Sequence, residues 1–297
     1  MLVENKFPLG YMVKKVWFDL TMVVLVGLCA HFISQRYENL LPEIPLNIPI
    51  FLGTAISVLL SFKMNQSYDR WWEARKIWGS IVNDSRNLVI QLQTFLSRKH
   101  GAFIRTIAYR QIAWCYCLGQ SLRGLSPLEN MHAYLSKEDI EVLKAHNNKP
   151  LAIVQLNARD LQQVKEAGEV DVYCYVELNN TLSSLVDYMG MAERINNTVF
   201  PVTYRYYLHL IIYIFVVTLS IALEDVNALF KLPLLVLICG CFFLIEKSAY
   251  HLQDPFRNRP SDTPVTSIAR TIEINIRQLL GESKVPAPMV AKSFYVT

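Results

Sequence analysis

Residues 48–62, IPIFLGTAISVLLSF, carry no charge, and the thirteen that follow, KMNQSYDRWWEAR, are polar, aromatic and basic. Fifteen helical residues rise only ~22 Å at ~1.5 Å each, short of a hydrocarbon core of ~30 Å. A helix flanked by copies of itself around an axis has no such length requirement, because its ends border water and protein. From Gly53 onward, helical spacing puts Thr54, Val58 and Phe62 on one stripe and Gly53, Ser57 and Ser61 on the neighbouring one. The small residues suit close approach of such copies, and the first stripe would then face the shared axis.

Half of the chain is hydrophobic (52%) and only 18% is charged, which suits a membrane protein with a substantial polar part. A net charge of +4 without any long basic run gives no reason to expect nucleic acid. Apolar runs predict four transmembrane helices at about 16–34, 48–65, 206–223 and 230–250. The first run is long and lacks a small-residue cleavage site after it, so it is expected to stay as a span rather than to be removed as a signal. Lys6, Lys14 and Lys15 precede it, whereas the first connection holds Glu38 and Glu43 and the last carries Glu224 and Asp225. That asymmetry predicts a multi-pass protein of the cell membrane with a cytoplasmic amino terminus. Asp19, Glu246 and Lys247 lie near span ends and read as interfacial, with a functional intramembrane acid the competing reading of Asp19; Trp71 and Trp72 read as part of an aromatic belt, and His209 as a hydrogen-bonded interior histidine, with a pH-dependent gate its competing reading.

Residues 66–205 and 251–297 then form a cytoplasmic helical region, giving one all-α domain over 1–297. The second span is expected to continue as an amphipathic helix through Ile77, Trp78, Ile81 and Val82 to Leu92. Another helix covers 102–122, and Gly124 to Pro127 break it. Ser136 caps a new one, Pro150 opens a helix through about Val164, and Val172 begins one running to Gly190. Pro201 ends this block. Asp254-Pro255-Phe256 stops the fourth span, and the last helix follows Thr263-Pro264 with Ile268, Ile272, Ile276 and Leu279 on one face.

No Gly-rich phosphate loop, nucleophile elbow or His-x-x-x-His pair occurs, and an enzyme is not expected. The six cysteines show no metal or redox spacing and read as ordinary buried thiols; Cys115 and Cys117 cannot share a helix face.

The block Asn65-Gln66-Ser67-Tyr68-Asp69-Arg70-Trp71-Trp72-Glu73-Ala74-Arg75, preceded by the Ile-Pro pair and the Gly53-containing apolar run, resembles the second transmembrane helix of prokaryotic bestrophins. Asp254-Pro255-Phe256, at a matching spacing, extends the likeness over about 7–283. The resemblance implies a homopentameric ion channel with a narrow apolar neck and a wider cytoplasmic vestibule. Its three neck positions fall on Thr54, Val58 and Phe62, with Thr54 departing from the usual aliphatic residue. Aligned through Asn180, Gly190 and Pro201, the family's second constriction falls on Tyr173, or on Val172 if the register slips by one; a packed core tyrosine is the competing reading of Tyr173.

In animal members the point after Asp-Pro-Phe opens an acidic cluster that clasps calcium. Here it reads Arg257-Asn258-Arg259-Pro260-Ser261-Asp262, and only Asp254 and Asp262 remain of the carboxylates. A hard cation needs six to eight oxygen ligands, several of them carboxylates, so no calcium site and no other cofactor is expected. The resemblance implies self-association, a lipid bilayer and small monovalent ions as partners, with chloride favoured and sodium the alternative. A different class, a membrane-anchored helical interaction protein with a solid core, makes the same stripe ordinary packing.

Overall fold

A computed structural model describes residues 9–36, 44–224, 226–291 and 295 of the protein. Among the described residues the chain forms nine α-helices: α1 (Leu9–Arg36), α2 (Asn47–Phe95), α3 (Gly101–Leu122), α4 (Lys137–Lys144), α5 (Lys149–Glu166), α6 (Val172–Asn197), α7 (Val202–Ala222), α8 (Ala228–Leu252) and α9 (Val265–Leu279). Two compact units result, one of Glu4–Arg70 with Val199–Asp254 and the other chiefly of Trp71–Thr198 with Pro255–Thr297.

The first unit contains α1, the start of α2, α7 and α8. These are the four helices long and apolar enough to cross a membrane, as the apolar runs predict. α1 packs on both α7 and α8, and two glycines set the closeness of that contact. A Cβ at Gly27 would stand 2.8 Å from the Leu235 side chain, and one at Gly240 would stand 3.2 Å from Leu20. Ile56 and Leu60 of α2 join Leu208, Ile212, Phe215 and Phe243 in the buried core of this unit. α1 starts earlier than the run at 16 suggests, with Gly10, Lys14 and Lys15 already helical, while Lys6 lies outside the described residues. Glu38, Glu43, Asp225 and part of the carboxyl-terminal tail lie outside the described residues.

The second unit is built around α3, which packs against α5, α6 and α9. Being covered on several sides, α3 buries Cys115 and Cys117 together although they point apart. Burial pushes both thiols up to about 12, so neither is a nucleophile near neutral pH. Cys29 and Cys241, expected to be buried, are exposed on this chain. The expected Ser136 cap forms, its Oγ accepting from the Asp139 amide at 3.0 Å, and Pro150 lies in the first turn of α5 as expected; the cap of that helix, which the sequence reading did not name, is Asn148, whose Oδ1 accepts from the Leu151 amide at 3.1 Å. α6 passes through Gly190 and continues to Asn197, because that glycine keeps ordinary helical geometry rather than the left-handed one that ends helices.

Arg110, on the buried side of α3, ties that helix to α4 and α5. Its Nε and Nη2 donate to the two Asp139 carboxylate oxygens at 2.8 and 2.7 Å, and Nη1 donates to Asp160 at 2.5 Å. Such a fork is strong only while complete, since removing one member strands buried charge. Arg110→Met is expected to lower the stability of the detergent-solubilised protein by about 3 kcal/mol, read from thermal unfolding.

Candidate functional site

α2 has two unlike faces within the first unit. Ile56, Leu60 and Lys63 point inward and are almost fully buried. Thr54, Val58 and Phe62 point outward, with Val58 50% and Phe62 61% exposed. The stripe deduced from four-residue spacing is therefore an open face of this chain and not part of its core. Thr54 Oγ1 donates to the Ile50 carbonyl at 2.9 Å, and Ser57 Oγ to Gly53 at 2.8 Å. With its hydroxyl turned to the backbone, Thr54 presents a methyl group outward, which offsets its departure from an aliphatic side chain.

Gly53 does not share the open face with Ser57 and Ser61. A Cβ there would stand 3.2 Å from the Phe215 ring, so its small size serves packing against α7 inside the chain. Beside Phe62 lies a cavity of about 680 Å³, lined by Leu59, Phe62, Gln66, Phe200, Tyr204 and Tyr207 among others.

Several charges assigned to interfaces are instead buried together. Lys63 Nζ donates to Glu246 Oε1 at 2.7 Å, with both side chains 1% exposed. Asp19, also buried, lies 3.2 Å from Lys247. His209 Nδ1 sits 3.0 Å from the Arg205 carbonyl, in keeping with a hydrogen-bonded interior histidine. The physical reason for the correction is desolvation: an acid in an apolar unit takes a base as partner in preference to reaching for water along an apolar path. The sequence signal was the recurrence of one ionisable residue near an end of each span. Trp71 is likewise no free belt residue, for its indole donates to the Ser261 carbonyl at 3.1 Å.

Tyr173 occupies the first turn of α6, where its amide donates to Asp171 Oδ1 at 2.8 Å. It is 87% exposed, and Val172 and Val176 beside it are also exposed. The packed-tyrosine reading fails within this chain. Leu182, Leu185 and Met189, further along the same helix, are buried.

The segment at the calcium-clasp position is a closed turn with Asn258 in the left-handed region (φ 61°). Asp262 Oδ2 accepts the Arg259 amide at 3.0 Å, and burial pushes its carboxyl above the usual range. Arg123 nearby is pushed down to about 10 by burial, against the pull of Asp262. A carboxylate used as a backbone cap among arginines does not fit a hard cation. Among the described residues no three His, Cys, Asp or Glu side chains gather into a metal-binding group.

The family model described as "Bacterial/Fungal Bestrophin protein" matches residues 6–278. The chain is 30% identical over 287 residues to the voltage-dependent anion channel-forming protein YneE of Escherichia coli O157:H7, covering 96% of this chain and 93% of that one. A similarly named protein of Ralstonia nicotianae, RSc3414, is 29% identical over 82% of this chain and 80% of its own length. The crystal structure of a bacterial bestrophin homologue from Klebsiella pneumoniae matches with a TM-score of 0.85 and 29% identity, covering 91% of this chain and 100% of that chain.

The Lys63 and Glu246 pair makes a direct prediction. Lys63→Met leaves a buried carboxylate unpaired and is expected to lower stability by about 3 kcal/mol, whereas Lys63→Met with Glu246→Leu recovers most of that loss; thermal unfolding in detergent distinguishes the two.

Proposed function

The chain belongs to the bacterial and fungal branch of the bestrophin family, and on that premise we propose that it is a homopentameric membrane channel for small monovalent anions, chloride foremost. The observation that carries this reading is a contrast between exposed faces. α7 exposes Tyr206, Tyr207, Leu210, Ile214 and Val217, α8 exposes Leu229, Phe230, Leu234, Leu237 and Ile245, and α1 exposes Trp17, Phe18, Leu25 and Phe32. These faces suit lipid. α2 alternates exposed Val58 and Phe62 with exposed Ser57, Ser61, Asn65, Gln66 and Asp69. Carboxamides and a carboxylate are costly against hydrocarbon, so this face meets water and neighbouring copies of α2.

Rings of Thr54, Val58 and Phe62 then form the neck, and Tyr173 at the start of α6 forms the cytoplasmic aperture. The neck excludes bulk water when narrow and conducts when it widens, the dewetting type of gate. No ring carries a charge, so selectivity comes from dipoles and ring edges. The positive edge of a phenyl ring favours anions and its face favours cations. An edge-on Phe62 accords with the anion channel-forming names of the relatives. The amino terminus is cytoplasmic in this reading, and activation proceeds without calcium.

In planar bilayers with asymmetric NaCl, the reversal potential is expected to carry the sign of a chloride conductance; the opposite sign assigns the pore to sodium. Phe62→Ala and Val58→Ala are expected to raise single-channel conductance severalfold, and unchanged currents in both variants would place the neck elsewhere. Added calcium or a chelator should change the current by less than about twofold, because the 257–262 turn lacks the carboxylates that calcium needs. A crosslinking ladder that ends at dimer removes the pore altogether.

A further inference from the structure

Ionisable side chains from all four apolar helices meet in one cluster: Asp19 of α1, Lys63 of α2, His209 of α7, and Glu246 with Lys247 of α8. The two acids and two lysines balance, which leaves the histidine as the member whose charge is adjustable near neutral pH. Its Nδ1 lies 3.0 Å from the Arg205 carbonyl. A carbonyl only accepts, so Nδ1 carries the hydrogen and Nε2 of the neutral ring is a bare lone pair.

That lone pair faces Asp19 Oδ1 at 4.0 Å and Glu246 Oε2 at 3.9 Å. At these distances Nε2 makes no hydrogen bond to either oxygen. Glu246 Oε2 is buried without a hydrogen-bond partner, since Lys63 serves the other oxygen. Phe243 lies against the imidazole at 5.9 Å between centroids, with Tyr213 packed on the same phenyl ring. The His209 side chain keeps 19% of its surface exposed on this chain.

We propose that His209 Nε2 is a proton-binding site that couples the four-helix unit to the neck. A proton taken from water forms a new N–H bond at Nε2, and nothing else leaves or is oxidised. The imidazolium then donates its one Nε2–H to one carboxylate after a closure of about 1 Å, since charge-assisted N–H···O distances are about 2.8 Å, and faces the other as a counter-charge. α7 is thereby joined to α1 and α8, and the Lys63 and Glu246 pair carries the link to α2, where Phe62 is the adjacent residue. A frame stiffened behind the neck opposes the widening that conduction needs, so proton uptake lowers the current.

The current readout rests on the channel reading, whereas a stability readout does not. Wild-type current is expected to fall severalfold on acidification from about pH 8 to about pH 5. His209→Gln should be flat over that range. Asp19→Asn, which removes one of the two facing carboxylates, should weaken that fall in current. Over the same range, the melting temperature of the solubilised wild type should rise on acidification relative to that of His209→Gln. Equal pH dependence of wild type and His209→Gln in both readouts overturns the proposal. Should His209→Gln fail to fold, an undiminished fall in current in Asp19→Asn overturns it instead. A melting difference without any wild-type current at any pH upholds the proton site and sinks the channel reading.

Discussion

The burial of Lys63 against Glu246 is the constraint on which the membrane unit depends. Each charge alone would cost several kcal/mol to remove from water, and together they are tolerable only at a short, fixed distance, here 2.7 Å. The pair therefore fixes which face of α2 turns toward α7 and α8. Once Lys63, Ile56 and Leu60 face inward, Thr54, Val58 and Phe62 must face outward. An inward charge thus determines an outward stripe. The same logic extends to Asp19 and Lys247, so that each apolar helix enters the cluster through at least one polar side chain.

The outward stripe acquires meaning from its neighbours. A purely apolar face would be indistinguishable from the lipid-facing sides of α7 and α8. Ser57, Ser61, Asn65 and Gln66 between the apolar residues separate α2 from them. Their hydroxyls, where bonded back to the helix as in Ser57, are neutralised as hydrogen-bonding groups. The face is consequently smooth and weakly polar, the surface expected beside a narrow aqueous path.

The second unit uses charge differently. Arg110 binds two aspartates inside the core, and Asp262 closes a turn instead of presenting its oxygens to an ion. Its one openly presented aromatic at a helix start is Tyr173, held by an aspartate cap and not by packing.

Short-range periodicity and capping chemistry were legible in the chain itself. The four apolar runs, the continuation of the second into Trp78 and Leu92, the Ser136 cap, the Pro150 first turn and the stripe at 54, 58 and 62 all follow from residues within one or two helical turns of each other. Pairings across the chain were not legible. Lys63 and Glu246 are 183 residues apart, Trp71 and Ser261 are 190 apart, and Glu246 and Trp71 alone looked interfacial. Gly53 read as a contact between copies until Phe215 lay against it. Local sequence determines which helices form and which faces they carry, because those depend on propensity and on the 3.6-residue repeat. Only the tertiary structure decides which buried charge meets which, because Coulomb energy depends on distance in space and is blind to order along the chain.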